Sequence, residues 1–411
     1  MLKTYLKEIR ERALKAKDKP AILGPDIDLE PYMRIVEETP VDDLEKLPDE
    51  IKENILYSGI TPSENDKAGT YFQINHSVIY EKLQEIYKGK LEIMSIQEAL
   101  EKYEWLENYY SRLIPPDTDK YTAWAEIKPT GGYFIRVFKG QKVEHPVQSC
   151  LYIKEGNISQ NVHNIIIVEE GAEVFVTTGC LTHLKDQPGI HIGISEFYVK
   201  KGGKLYFTMI HNWSEEFHVR PRTAVLVEEG GVFINNYVTL KPVKSIQSYP
   251  TVYVRKGAIA RLYSIIYGRK DSYIDLGGRL IFEEEDAKGE IVSRIIANDS
   301  SKIYSRSEII GKAKGTKGFL DCRGILLSKS SQIVAVPILD AQHPESELSH
   351  EAAIGPINEE EIEYLTTRGF DKDEAMSTIT RGFLSLEIPG LPKVAKEQIN
   401  YAVSQLEKAG L

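Results

Sequence analysis

Cysteine is scarce in this chain: 411 residues contain three, Cys150, Cys180 and Cys322. They are too few and too widely spaced for a disulfide framework or a paired-cysteine zinc site, so free thiols in a reducing cytosol are expected. Excess positive charge is also missing. With 51 Lys and Arg against 61 Asp and Glu, the net charge is −10, which argues against a broad surface for nucleic-acid phosphates. No run approaches the ~20 apolar residues of a membrane span. The opening residues Met1 to Leu14 are charged throughout and lack the apolar core and small-residue cleavage site of a signal peptide. A cytoplasmic protein without membrane or nucleic-acid partners is expected. No Walker A sequence occurs, so ATP, if used, must be handled by a partner.

What is present is an ordered composition, 42% hydrophobic and 27% charged, with length for two or three domains. Leu2, Leu6, Ile9, Ala13 and Leu14 recur at helical spacing and predict an amphipathic helix over 2–17. The segment from Pro20 to Pro62 reads as irregular with one short helix. Helical spacing returns over 76–88 and over 95–110, the latter opened by Ser95 and Glu98 as a capping box. A helical N-terminal region, 1–118, thus gives way near Pro115-Pro116 to alternating, β-branched and aromatic sequence from about Tyr121.

Four segments in that β-rich part look alike. Ile167-Val168-Glu169-Glu170-Gly171, Tyr198-Val199-Lys200-Lys201-Gly202, Leu226-Val227-Glu228-Glu229-Gly230 and Tyr253-Val254-Arg255-Lys256-Gly257 each read as strand, two charges, glycine. The glycines are 31, 28 and 27 residues apart, with a weaker echo at Gly289, 32 further on. A unit of short strands repeating with this period suits a β-solenoid whose coils stack ~4.8 Å apart; an antiparallel sandwich or barrel is the alternative. The core is expected over 119–349 and a helical region over 350–411. There, Asn358 caps a helix that Gly369 closes, Asp371 to Gly382 repeats the device, and a last helix runs from about Pro392 to Lys408.

Period and side-chain parity turn sequence into geometry. Cys180 and His211 each follow their coil's glycine by nine residues, so a solenoid stacks them facing inward, as a small core hydrophobe and a satisfied imidazole or as a working pair. Cys322 precedes His350 by 28 residues, one period, which would put thiol and imidazole on neighbouring rungs. Glu351 would point to the opposite face. A thiolate, an imidazole and a carboxylate together suit iron or zinc; unrelated surface residues at a strand-to-helix junction are the alternative. A hydrolytic Cys–His pair lacks an oxyanion-hole motif. Cys150, His183 and His343 carry no distinct signal, His343-Pro344 reading as a strand end.

The run Ser349-His350-Glu351-Ala-Ala-Ile-Gly355, continuing through Tyr364, Arg368-Gly369, Glu374 and Gly382-Phe383, resembles the C-terminal signature of the SufB/SufD family of iron–sulfur assembly scaffolds. Thr177-Thr178-Gly179-Cys180, the stretch His191 to Glu196, and His211-Asn212-Trp213 extend the resemblance over roughly 120–390. It implies a right-handed parallel β-helix flanked by helical regions, pairing with a second copy of itself or a SufD-like subunit, and C-terminal helices that dock a SufC-like ABC ATPase. It further implies that Cys180 accepts sulfur from a donor protein. A transient iron–sulfur cluster would form at Cys322 with His350 or Glu351 as ligand, and reduced flavin is an electron source in some such systems. The N-terminal region is compact and lacks the cysteine motif of many SufB chains, which suggests a SufBD-type homodimer. On this reading the chain is a scaffold rather than an enzyme, and ATP hydrolysis belongs to the partner. Two rivals are a β-helix carbohydrate-active enzyme using Glu283 to Asp286, and an interaction scaffold that never holds a cluster.

Overall fold

In the computed structural model, which describes residues 1–384 and Glu397, the chain is mainly β. A β-solenoid of about eight turns carries helices at its N- and C-terminal ends. Each full coil contributes one strand to each of two sheets. In the first sheet Val147–Ile153, Glu173–Thr182, Lys204–Asn212, Val232–Thr239, Ile259–Gly268, Lys288–Ala297, Lys317–Leu326 and Glu347–Gly355 stack in parallel. The second sheet faces it, and inward side chains from both form one continuous core.

The repeated glycines make the corners. Gly171, Gly202, Gly230 and Gly257 have φ of 67°, 65°, 65° and 61°, a left-handed conformation in which a side chain is strained. Each donates its N–H to the residue before the equivalent corner of the next coil, as in Gly202 N to Glu229 O at 2.9 Å. Gly289 does not continue this column. It lies within a strand, and the left-handed position passes to Asp286, φ 59°, and then to Gly315, φ 70°. The two charges before each corner alternate in sign along the stack, so Lys200 meets Glu228, Lys201 meets Glu229 and Lys256 meets Glu285. Such exposed pairs stabilise little individually, but a slip of one coil would oppose like charges.

The N-terminal region departs from the helical reading. Helix α1 (Leu2–Ala16) forms as expected, and the irregular segment contains one short helix, α2 (Asp49–Leu56). Residues 76–88, however, contain the strand Ser77–Leu83 followed by a single 3₁₀ turn. That strand pairs antiparallel with Gly69–Ile74 through a turn at Asn75, φ 50°, and Gly69–Ile74 extends the first sheet. Val78-Ile79-Tyr80 is β-forming sequence whose apolar spacing also fits a helix, and pairing decides. Helix α3 (Ile96–Lys102) begins at Ser95, whose side chain accepts from Glu98 N, but a 3₁₀ segment, Glu104–Asn108, replaces its continuation. Just beyond, residues read as the start of the β region form helix α4 (Lys120–Ile127), capped by Asp119 and packed on α1 through Ala13, Ala16 and Ala123.

At the other end, α5 (Glu359–Thr367) carries the Asn358 cap and α6 (Lys372–Leu384) begins with reciprocal bonds between Asp371 and Glu374. Gly382 lies inside α6 rather than closing it, because Phe383 and Leu384 continue the face that packs on Ile210, Ile265 and Ile296 outside the first sheet. The helix expected over 392–408 falls outside the described residues.

Candidate functional site

Strand Glu173–Thr182 places Cys180 inside the solenoid, fully buried, and its register partner on the next coil is His211. Burial pushes the thiol far above its ordinary range. His211 is also sealed in. Its Nδ1 lies 2.7 Å from Tyr237 Oη, while Nε2 is buried without a partner. His191 approaches from the second sheet. Gln160 donates its amide N–H to the carbonyls of Asn75 and Tyr152, so its Oε1 must accept from His191 Nδ1 at 3.0 Å. Burial lowers His191 to about 3 and His211 well below the usual range, leaving both imidazoles neutral at physiological pH.

From this point a polar line runs on along the interior. Tyr237, Ser264, Ser293 and Cys322 are successive register partners in the first sheet. Ser264 Oγ donates to Ser293 Oγ at 2.9 Å, and Cys322 Sγ to Ser305 Oγ, reaching across from the second sheet, at 3.5 Å. A narrow, mostly enclosed cavity of about 30 Å³ lies between Tyr237, Ser248, Ser264, Ser293 and Ser305. Cys180 to Cys322 spans five strand spacings, about 24 Å. Tyr237, Ser264 and Ser293 escaped the sequence reading, although their inward parity and 27- and 29-residue spacing were available. Cys322 itself is 6% exposed, and burial raises its thiol against the opposing hydrogen bond to Ser305.

The residues expected to act as ligands around Cys322 are only partly gathered. Strand Glu347–Gly355 runs through both His350 and Glu351, but the coil-to-coil offset here is 30 residues, so Cys322 stacks on Ala352 and His350 on Leu320. His350 therefore shares the Cys322 face diagonally, with Nε2 buried and unpartnered. Glu351 points to the opposite face beside Asp321, its carboxylate 3.7 Å from Arg323. Among the described residues no three His, Cys, Asp or Glu side chains group as a metal site. Beyond this last coil neither sheet gains another strand among the described residues; Ile338 and Ile354 stand 47% and 39% exposed there.

The remaining candidates lie apart. Cys150 faces outward from the first sheet, buried under the N-terminal segment with Ile51 and Ile55. His183 stacks on Tyr152 with a 2.8 Å bond to its hydroxyl, and His343 bonds Glu345 N in a turn. Glu283, Glu284 and Glu285 pair with Arg255 and Lys256 at a solenoid corner, where Asp286 supplies the left-handed residue.

Residues 151–383 match the family described as SUF system FeS cluster assembly, SufBD core domain. The chain belongs to the SufBD family. It is 44% identical to an iron–sulfur cluster assembly SufBD family protein of Methanothermobacter thermautotrophicus, covering 94% of this chain and 95% of that one. A namesake from Archaeoglobus fulgidus is 46% identical over 87% of this chain and 95% of its own. The iron–sulfur cluster assembly protein SufB of Bacillus subtilis is 27% identical over 87% and 78%. The chain is thus a SufBD family iron–sulfur cluster assembly protein, of a family whose members are components of the Suf system. No helix among its described residues is long and apolar enough to cross a membrane.

Proposed function

We propose that this SufBD protein is a cytoplasmic scaffold that accepts sulfur at Cys180 and builds a nascent iron–sulfur cluster at Cys322. The observation that carries this reading is the inward polar line joining the two thiols through His211, Tyr237, Ser264 and Ser293. A solenoid core needs only apolar filling, so a column of hydroxyls between two cysteines calls for a polar passenger, and sulfur delivered by a donor protein fits. The cluster is cargo. Cys322 supplies a thiolate once iron offsets the cost of burying charge, and His350 offers an open Nε2 on the same face.

The open end of the solenoid supports a second copy, or a SufD-like subunit, docking against the last coil. Two long unpaired edges bearing exposed Ile338 and Ile354 are an aggregation liability unless covered. Helix α5 supports docking of a SufC-like ATPase: none of its residues is fully buried, and Tyr364 stands 59% exposed. ATP hydrolysis there would gate access to Cys322 rather than act on the cluster.

Anaerobic reconstitution with iron and a sulfur donor tests the assignment. Wild type is expected to develop visible cluster absorbance and Cys322→Ser to develop none; full retention in the variant would reject Cys322 as the assembly site. Iron and sulfide analysis of the chain co-purified with its ATPase separates cluster assembly from mere docking.

A further inference from the structure

Cys180 needs a proton acceptor within a sealed interior, and one imidazole nitrogen there has nothing to bond. His211 is 2% exposed and is the register partner of Cys180. Its Nδ1 is held by Tyr237 Oη, which fixes the ring. Trp213 packs edge-on to it at 5.8 Å between centroids. Nε2 remains without a partner, and a buried polar atom left so is destabilising. The titratable groups facing His211 are Cys180 from the preceding coil, His191 from the second sheet and Tyr237 from the following coil, with Tyr133 beyond Cys180. None is a carboxylate, so no fixed charge competes for the imidazole.

Resting on the reading of Cys180 as sulfur acceptor, we propose that His211 is the acid–base group for sulfur loading, taking the Cys180 proton and then hydrogen-bonding the sulfur that Cys180 receives. The step balances with a persulfide donor, R–S–SH. His211 draws off the Cys180 proton as the sulfur attacks the donor's terminal sulfur. The new S–S bond forms as the donor's own S–S bond breaks. The electron pair leaves on the inner sulfur, which recovers the proton as R–SH, while Cys180 becomes Cys180–S–SH. No outside electron is needed. Without the imidazole, attack must wait for a thiolate that burial makes rare.

Initial rates of Cys180 persulfidation by cysteine persulfide, read by mass spectrometry after alkylation from pH 6 to pH 9, test this in the full chain. His211→Gln keeps a hydrogen-bonding side chain but no titratable nitrogen. Its rate is expected to fall about a hundredfold or more below wild type at pH 7, within the usual range of acid–base catalysis. The deficit should shrink as rising pH ionises the thiol directly. A constant ratio at every pH, or no deficit, would overturn the proposal while leaving Cys180 as acceptor. Failure of wild type to load Cys180 would overturn both. Tyr237→Phe guards against misfolding of the first variant: it frees the ring without removing it and is expected to slow loading while keeping the wild-type pH profile. Wild-type loading by that variant would also count against the anchored imidazole.

Discussion

His350 stands opposite Leu320, two residues short of Ala352, the register partner of Cys322. The imidazole therefore shares the thiol's face, whereas Glu351, one residue on, turns outward toward Arg323. If Glu351 ligates the cluster, it must do so from a second copy across the open end. Chains carrying Cys322→Ser and Glu351→Ala should each fail to assemble cluster alone. Mixed in equal amounts and allowed to exchange, they should recover roughly a quarter of the wild-type visible absorbance, because half the dimers are mixed and each mixed dimer holds one complete site. Zero recovery would place Glu351 with its own chain's Cys322, and unimpaired Glu351→Ala would remove it from the site.

The pairing of Cys180 with His211 was legible because the glycine corners fix the offset between those two coils. The offset at Cys322 was not legible. Coil length drifts between 27 and 31 residues, and the turn before Glu347 is longer than the glycine spacing implies, so one assumed period missed by two residues. The N-terminal strands were hidden for another reason. Ser77–Leu83 owes its conformation to Gly69–Ile74, which owes its own to Val147–Ile153, and such non-local pairing leaves no local periodicity. Helix α4 illustrates the converse: Tyr-Thr-Ala-Trp favours strand, yet the Asp119 cap and the alanine contact with α1 prevail.

Glu196 anchors the N-terminal region to the solenoid. Its buried carboxylate accepts from the backbone N–H groups of Ser111, Leu113 and Ile114 and meets His163 Nε2 at 2.8 Å. Glu196→Ala strands three donors at once and should cost about 3 kcal/mol or more of stability. Urea unfolding measures the loss, and hydrogen exchange should place the increased opening at 111–114. A cost under 1 kcal/mol would mean that these donors find other partners.

Two glycines separate strain from collision. A Cβ on Gly257 would meet open space, so Gly257→Ala should cost only the left-handed penalty, about 1 kcal/mol. In Gly277 the added carbon would sit 1.5 Å from the Arg306 carbonyl oxygen on the next coil. Gly277→Ala must push neighbouring stacked strands apart and is expected to lower the unfolding midpoint several times more. Equal effects would show that the coils shift freely along the solenoid axis.

The neutral histidines make stability depend on acidity with a definite sign. His191 is buried, and its folded-state pKa is lowered to about 3 from an ordinary 6.5, chiefly by desolvation. Between those values the unfolded chain binds a proton that the folded chain does not, so stability falls as pH drops below 6.5 and continues to fall toward about 3. One such group contributes a slope of about 1.4 kcal/mol per pH unit. His211, lowered in the same direction, adds a similar slope. Urea unfolding of His191→Gln between pH 6.5 and pH 4.5 should therefore decline less steeply than wild type by about 1.4 kcal/mol per unit. Carboxylates titrate alike in both chains and cancel in the difference. Parallel curves would show that His191 takes up its proton inside the folded solenoid.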